Sequence, residues 1–415
     1  MTKRPVPILY MSGTLPVLSE TFVYREIIAL RELGLDIHTA SVHPPVHGLD
    51  NGGVLDQIAQ STNCIYTKKV FVLLKDAIAE VMAFPIKSIT TMAICTFCSL
   101  FSAEVPVRRK HKVIYQGLAA LALVRRIRHL NIGHIHSHMA HVPTTIAMFA
   151  AQQLGIRFSF TGHAVDIFPE RTLLKEKLKR ALFINCISYW HRDFYRSIVK
   201  RPDTDYPIIR CGIDTRKYKA AFPPLKKHLH VLSVCRLVEK KGIDILISAA
   251  EKIGKCGGPP MKYTIVGDGP EKDKLLAMTN GLSPATKVEL TGSIDNDAVM
   301  KLIEQSDVFA LPCRITHSGD RDGIPVALME AMALGRCVIS GDLEPIRELI
   351  EHNHSGIMIP PGDENALAKE LIDLANNRSR MENLGRAARK RIENEFDLML
   401  NANRIKRTMH DHELI

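Results

Sequence analysis

Residues 6–42, VPILYMSGTLPVLSETFVYREIIALRELGLDIHTASV, decide how the chain folds. Residues 6–11 form an apolar run too short for a helix and read as a strand. Residues 19–34 carry apolar side chains at helical spacing and stop at Gly34, and residues 36–42 read as the next strand. Two strands joined by one helix make a βαβ unit, and the same alternation recurs along the whole chain. Strands are expected at 134–137, 158–161 and 183–188, then at 229–234, 263–266, 288–291, 308–311, 337–340 and 356–359. The fold class is therefore α/β, with parallel sheets wrapped by helices.

A length of 415 residues exceeds one ordinary core and fits two domains of roughly 200 residues each. Ala220-Ala221-Phe222-Pro223-Pro224 breaks any regular element just before a fresh strand and helix series begins at Leu229. The expected division is a Rossmann-like domain over 1–217, a linker over 218–228 and a second domain over 229–390. A charged C-terminal helix over 391–415 is expected to pack back on the first domain.

The net charge of +11 asks for an anionic partner: a phosphate-bearing substrate, nucleic acid or an acidic membrane surface. Nine cysteines scattered through apolar contexts read as a reduced, cytoplasmic set, and the single Cys95/Cys98 pair reads as core packing. The chain is read as starting with its fold, without a signal peptide. Residues 88–103 are uncharged and largely apolar, but these sixteen residues fall short of the about twenty that a membrane-spanning helix needs. Residues 108–128 carry Arg108, Arg109, Lys110, Lys112, Arg125, Arg126 and Arg128 on an apolar helical pattern, the look of a membrane-surface helix.

In paired Rossmann-like domains the loops at the carboxyl ends of the strands carry the chemistry. The loop after 229–234 holds Arg236 and Lys241, the loop after 263–266 is Gly267-Asp268-Gly269-Pro270, and the loop after 308–311 runs through Asp322 into a helix carrying Glu330. A guanidinium and an ammonium suit a pyrophosphate and offset the charge that a leaving diphosphate develops. A turn feeding a helix start favours the same anion. Asp322 and Glu330 are suited to sugar and ribose hydroxyls, since carboxylates accept from vicinal diols. Read alone, the same residues also fit a solvated helix start and a capped surface helix. In the first half, His136, His138 and His141 leave a strand at alternate positions, and His163 follows another. His136 and His138 are expected to contact an acceptor rather than a metal.

Arg236-Leu237-x3-Lys241-Gly242, Val266-Gly267-Asp268-Gly269-Pro270 and Asp322-Gly323-Ile324-Pro325-x4-Glu330 occur in this order. With these spacings the chain resembles retaining glycosyltransferase family 4. Ser19-Glu20-Thr21-Phe22, His134-Ile135-His136-Ser137-His138, Phe160-Thr161-Gly162-His163-Ala164-Val165-Asp166 and Cys211-Gly212-Ile213-Asp214 extend the resemblance, which is weakest over 51–112. It looks most like the exopolysaccharide branch, similar to colanic acid biosynthesis glycosyltransferases. The resemblance implies a GT-B fold, two Rossmann-like domains facing across a cleft. It also implies metal-independent, retaining transfer of a sugar from a nucleotide diphosphate donor, UDP- or GDP-linked, with no cofactor.

Carried over residue by residue, the resemblance has Arg236 and Lys241 hold the diphosphate, Asp322 contact the donor sugar and Glu330 bind ribose. Gly323 and Ile324 would offer backbone N–H groups, Gly13 would let the first loop approach the diphosphate, and Gly267, Asp268 and Gly269 would lie beside the nucleotide. His163 and Asp322 are the expected catalytic pair, with His136, His138 and Asp166 on the acceptor side. Asp322 stands where this family usually has glutamate, so a shorter side chain meets the donor sugar.

The partners expected are a nucleotide-sugar, a lipid-linked or oligosaccharide acceptor, and an anionic membrane surface met by the basic first domain. Nucleic acid is not expected. The setting is a bacterial cytoplasm, on the inner face of the plasma membrane. The alternatives are a nucleotide-sugar epimerase of the same architecture and a non-catalytic nucleotide-sugar-binding partner subunit. A nicotinamide oxidoreductase fits less, because the first turn, Met11-Ser12-Gly13-Thr14-Leu15-Pro16, lacks G-x-G-x-x-G.

Overall fold

A computed structural model of the chain describes residues 6–17, 20–50, 52–67, 69–163, 171–220, 228–284 and 286–415. The chain divides into two units, residues 1–212 with 398–415, and residues 213–397. The first unit opens with β1 (Ile8–Thr14), α1 (Thr21–Glu32), β2 (Ile37–His43), α2 (Val54–Ser61) and β3 (Asn63–Cys64). Three helices follow, α3 (Val70–Ala83), α4 (Pro85–Phe101) and α5 (Lys110–Ile127), before β4 (His134–His138). It then alternates through α6 (Val142–Leu154), β5 (Arg157–Thr161), α7 (Leu174–Arg180), β6 (Ile184–Asn185) and α8 (Tyr189–Ile198). Its strands lie parallel in the order β3-β2-β1-β4-β5-β6.

The second unit contains β7 (Leu229–Val234), α9 (Ile243–Lys255), β8 (Met261–Val266), α10 (Lys272–Asn280), β9 (Lys287–Gly292), α11 (Asn296–Gln305) and β10 (Val308–Leu311). It continues with α12 (Val326–Ala333), β11 (Cys337–Gly341), α13 (Glu344–Arg347), β12 (Ile357–Ile359), α14 (Glu364–Asn376) and α15 (Arg378–Glu395). The parallel order β12-β11-β10-β7-β8-β9 repeats the first unit's arrangement. In both units the order reverses between the first and fourth strands, β1 beside β4 and β7 beside β10, which is where this architecture places ligands.

Side chains of β1 alternate between two cores. Leu9 and Met11 join Ala119–Val124 of α5 and Ala147, Ala150 and Ala151 of α6. Ile8 and Tyr10 join Val23, Ile27 and Leu30 of α1. That second core also takes Leu398, Ala402, Ile405 and Met409 of the last helix, α16 (Leu398–Asp411). Lys406 Nζ further donates to Leu33 O at 2.9 Å.

The expectations on domain division and on residues 108–128 change. The division between units falls at residues 212 and 213, not within 218–228, because the segment after Gly212 is bonded to the end of α15. Ile213 N–H donates to Phe396 O at 2.9 Å and Thr215 Oγ1 donates to Asp397 Oδ2 at 2.7 Å. Of the expected linker, residues 221–227 lie outside the described residues. The expected helix over 391–415 is two helices, α15 and α16, broken at Phe396 and Asp397.

The second change concerns residues 108–128. α5 is a core helix, with Val113, Gln116, Gly117, Ile127 and all of 119–124 buried, so its apolar side has no membrane to meet. Two cations of residues 108–128 are consumed internally. Arg126 pairs with Asp76 at 2.6 Å, and Arg128 pairs with Glu80, which is fully buried and also accepts from Gln153 Nε2 at 2.9 Å. Glu80→Ala is expected to strand Arg128 and Gln153 and cost about 3 kcal/mol. The midpoint of urea unfolding checks it, and a loss under about 1 kcal/mol would mean that water already satisfies the arginine.

Candidate functional site

In the second unit three loops leave the carboxyl ends of β7, β8 and β10 and are fastened to one another by backbone. Leu237 N–H donates to Asp268 O at 2.9 Å, Glu271 N–H to Leu237 O at 3.1 Å and Arg314 N–H to Lys240 O at 2.9 Å. The approach is so close that a Cβ on Gly267, at φ +140°, would lie 1.8 Å from Cys235 O. One on Gly242, at φ +66°, would lie 2.0 Å from Pro312 O. Only glycine permits this seam. Gly269 meets Leu237 O in the same way, so these glycines have a packing reason to be there whatever they touch besides.

The seam brings Lys241, in the single turn Glu239–Lys241 before α9, against Asp322 from the loop after β10. Lys241 Nζ lies 2.8 Å from Asp322 Oδ2, with the two side chains 15% and 12% exposed, so both remain within reach of a ligand. Lys240 Nζ adds contacts to Asp322 at 3.8 Å and Asp320 at 3.2 Å, and Cys313 Sγ donates to Asp322 Oδ2 at 3.4 Å. Burial pulls the Lys241 ammonium down, but the Asp322 carboxylate outweighs it and holds the ammonium above the ordinary lysine value. Burial pushes the Cys235 thiol beside them up to about 12, so it stays protonated.

Asp322 leads through Gly323 and Ile324 to α12, whose start no side chain caps. Glu330 is buried on that helix and accepts from Tyr218 Oη at 3.2 Å. Arg236 is exposed, and among the described residues no ion pair engages it. Asp268 is exposed too, bound to Gly269 N at 2.7 Å and to Lys272 Nζ at 2.6 Å, and that pairing holds its carboxyl below the usual range. The structure thus brings Lys241, Asp322 and the start of α12 together and leaves Arg236 and Asp268 at the rim.

In the first unit His134, His136 and His138 point to one face of β4, toward the hydroxyls of β5. Ser159 Oγ lies 2.7 Å from both His134 Nε2 and His136 Nδ1, and Thr161 Oγ1 lies 3.0 Å from His136 Nε2. His136 is fully buried with both ring nitrogens engaged, so the expectation that it contacts an acceptor does not hold; the sheet absorbs it. His138 is 1% exposed and joins two partners instead: Nε2 lies 3.2 Å from Glu26 Oε1 on α1, and Nδ1 lies 3.2 Å from His163 Nε2.

A carboxylate only accepts, so His138 Nε2 carries a proton toward Glu26. His138 Nδ1 and His163 Nε2 share one proton between them, and His163 Nδ1 lies 3.9 Å from Cys211 Sγ. Phe22 packs over the His163 ring with centroids 4.3 Å apart, and His191 Nε2–H donates to the His163 carbonyl at 2.5 Å. One ligand atom from each of Glu26, His136 and His138 lies within 4.8 Å of the others, each already hydrogen-bonded as described. A Cβ on Gly13 of β1 would meet no atom within 4 Å, so packing does not require glycine there. Asp166 lies outside the described residues.

Sequence reasoning missed Glu26, Lys240, Tyr218 and His191. For Glu26 a signal existed: it stands one helical turn after Phe22 on α1 and so shares the face that meets His163. Tyr218 gave none, because its partner Glu330 is 112 positions away.

Residues 214–391 match the family model described as glycosyl transferases group 1. The amylovoran biosynthesis glycosyltransferase AmsK of Erwinia amylovora is 37% identical over 191 residues, 46% of this chain and 47% of that one. The putative colanic acid biosynthesis glycosyltransferase WcaL of Escherichia coli K12 is 33% identical over 202 residues, 47% of this chain and 48% of that one. The matches thus span about half the length of these curated relatives. Among solved structures, Anabaena Alr3699/HepE in complex with UDP superposes with a TM-score of 0.71 over 98% of this chain and 100% of that one, at 16% identity. The fold is shared: two Rossmann-like α/β units of the GT-B class.

Burial keeps three imidazoles of the first unit neutral, with His134 pushed down to about 3 and His136 and His163 well below the ordinary histidine value. In the unfolded chain each takes up a proton near pH 6.5. Below that pH the unfolded state therefore binds more protons, so the stability present above it is lost as pH falls toward the folded values. Three such groups give a slope of about 4 kcal/mol per pH unit when all are fully displaced. Melting temperatures from pH 7.5 to pH 5 should fall steadily below pH 6.5; a flat profile would mean that these rings are charged in the fold.

Proposed function

We propose that this chain, whose residues 214–391 belong to the group 1 glycosyl transferases, moves a sugar from a nucleotide diphosphate donor to a growing exopolysaccharide or capsule glycan, with retention of anomeric configuration. One observation carries the reading: Lys241 and Asp322 meet at 2.8 Å where the strand order reverses, at the mouth of α12. Lys241, with Arg236 and Lys240 nearby, binds the diphosphate and offsets the charge that builds on it as the glycosidic bond breaks. Asp322, released from Lys241 by the incoming anion, accepts from hydroxyls of the donor sugar, and Glu330 accepts from the ribose. These cations do the work without a metal ion or cofactor. Attack comes from the face the leaving group departs, within a short-lived ion pair.

The first unit serves the acceptor. Glu26, His138 and His163 form a chain that presents a neutral His163 ring in one orientation, suited to directing a hydroxyl rather than supplying charge. The names of the polysaccharide-forming relatives support a glycan acceptor, and the net charge of +11 supports an anionic membrane surface; on this reading the acceptor is lipid-linked and the protein is peripheral on the inner face of the plasma membrane. The donor base is uracil or guanine.

A thermal-shift panel of UDP, GDP and ADP against the wild type and Lys241→Ala tests the donor site, because a ligand bound to the folded state raises its apparent stability. One of UDP or GDP is expected to raise the melting temperature, and the shift should vanish in Lys241→Ala. No shift with any nucleotide would remove the donor assignment. Asp322→Asn is expected to keep the shift but lower transfer by about 10²-fold or more. Unchanged turnover in both variants would sink the site. Transfer measured in excess EDTA should match that measured without it, and its loss would restore a metal to the mechanism.

A further inference from the structure

The helical pair α3 and α4, joined by Phe84 alone, is built inside out. Apart from Leu73, its buried positions are small or polar: Ala77, Glu80, Ser88, Thr91, Cys95, Cys98 and Ser99. They are held by hydrogen bonds, Thr91 Oγ1 to Gln153 Oε1 at 3.0 Å, Gln153 Nε2 to Ser88 Oγ at 3.0 Å and Ser99 Oγ to Lys110 O at 2.8 Å. Its outward positions are large and apolar: Phe71 is 76% exposed, Ile78 61%, Met82 78%, Ile86 80%, Ile89 66% and Phe97 62%. On α3 the outward residues Leu74, Ile78 and Met82 recur every four positions, one continuous stripe. Of sixteen exposed large hydrophobic residues among those described, twelve fall within residues 70–107, so this is one surface and not scattered exposure.

The charge around it has one sign. Lys69, Lys75, Lys87, Arg108 and Lys112 are exposed, and within residues 69–112 no acidic side chain is. The acids there are turned inward and used: Asp76 by Arg126, Glu80 by Arg128 and Glu104 by the Lys175 N–H at 3.1 Å. An apolar face rimmed only by cations suits the headgroup boundary of an anionic bilayer, where apolar side chains enter and lysines stay among phosphates. None of the helices among the described residues is long and apolar enough to cross a membrane, so this pair lies in the surface rather than through it.

We infer that α3 and α4 insert their outward apolar face into one leaflet of an anionic phospholipid membrane, anchoring the first unit there. This deepens the reading of a lipid-linked acceptor and moves the membrane contact from α5 to the pair in front of it.

Sedimentation with vesicles of 70% phosphatidylcholine and 30% phosphatidylglycerol tests it. The wild type should pellet with them at 0.1 M NaCl and retain part of that binding at 0.5 M, since the apolar share is not screened. The double variant Ile86→Glu, Ile89→Glu should lose at least tenfold in bound fraction while its melting temperature and its nucleotide shift stay unchanged. An unchanged nucleotide shift separates failure of this inference from failure of the donor site. Three results would overturn it: no pelleting of the wild type, complete release by salt, or equal pelleting of the variant. A wild-type dimer in solution that the variant converts to monomer, with vesicles left unbound, would assign the face to a second copy of this chain instead.

Discussion

The chemistry of the second unit depends on the reversal of strand order between β7 and β10. Loops leaving these neighbouring strands diverge and open a space at the sheet's edge. Here the space is narrowed by backbone, because the β7 loop is hydrogen-bonded to the β8 loop on one side and the β10 loop on the other. Side chains on Gly242 or Gly267 would end that arrangement. With the loops fixed, Lys241 and Asp322 have little choice but to neutralise each other. On the proposed reading a diphosphate would offer the ammonium more negative charge than one carboxylate does, so the resting pair would be a site already held in the geometry that ligand needs. The carboxylate it displaces would then be free to meet the donor sugar.

The first unit has the same strand order and solves the same edge differently. His134, His136 and His138 are set by register opposite Arg157, Ser159 and Thr161, and the hydroxyls of Ser159 and Thr161 meet the imidazoles of His134 and His136. Burial keeps His134, His136 and His163 neutral, and a neutral imidazole needs one donor and one acceptor. Glu26 holds a proton on His138 Nε2, and the other nitrogen of His138 meets His163 Nε2. The first unit thereby supplies direction, where the second supplies charge.

Much of this was legible in the sequence because it is local. Runs of apolar residues bounded by turns located β1, β2 and every strand of the second sheet to within a few residues, and the loop residues Lys241, Asp322 and Glu330 followed from where those strands end. What was not legible depends on partners distant in the chain. The two-residue strand β3 exists only because β2 offers it an edge. Residues 108–128 looked like a membrane-surface helix because cations were counted without their acids, which lie 48 and 50 positions away on α3. Alternating histidines look alike whether they face a ligand or a row of serine and threonine hydroxyls, and here the hydroxyls sit on β5.

The same count of cations draws the membrane reading to residues 108–128 rather than to α3 and α4. A helix is ordinarily read by assuming that its apolar stripe faces the core. In this pair the stripe and the core part company, because Glu80 is fully buried and must be met by Arg128 and Gln153 whatever else the helix does. An unpaired buried carboxylate costs more than several exposed methyl groups, so the polar face wins the interior. Leu73 still reaches the core, but most of the large residues are left outside in water, an arrangement that gains nothing for a protein free in solution. At a lipid surface the balance changes: the interior network stays satisfied, the apolar face is buried in acyl chains and the lysines at its rim meet phosphates. The buried ion pair that draws Arg128 inward is thus also what turns α3 and α4 outward.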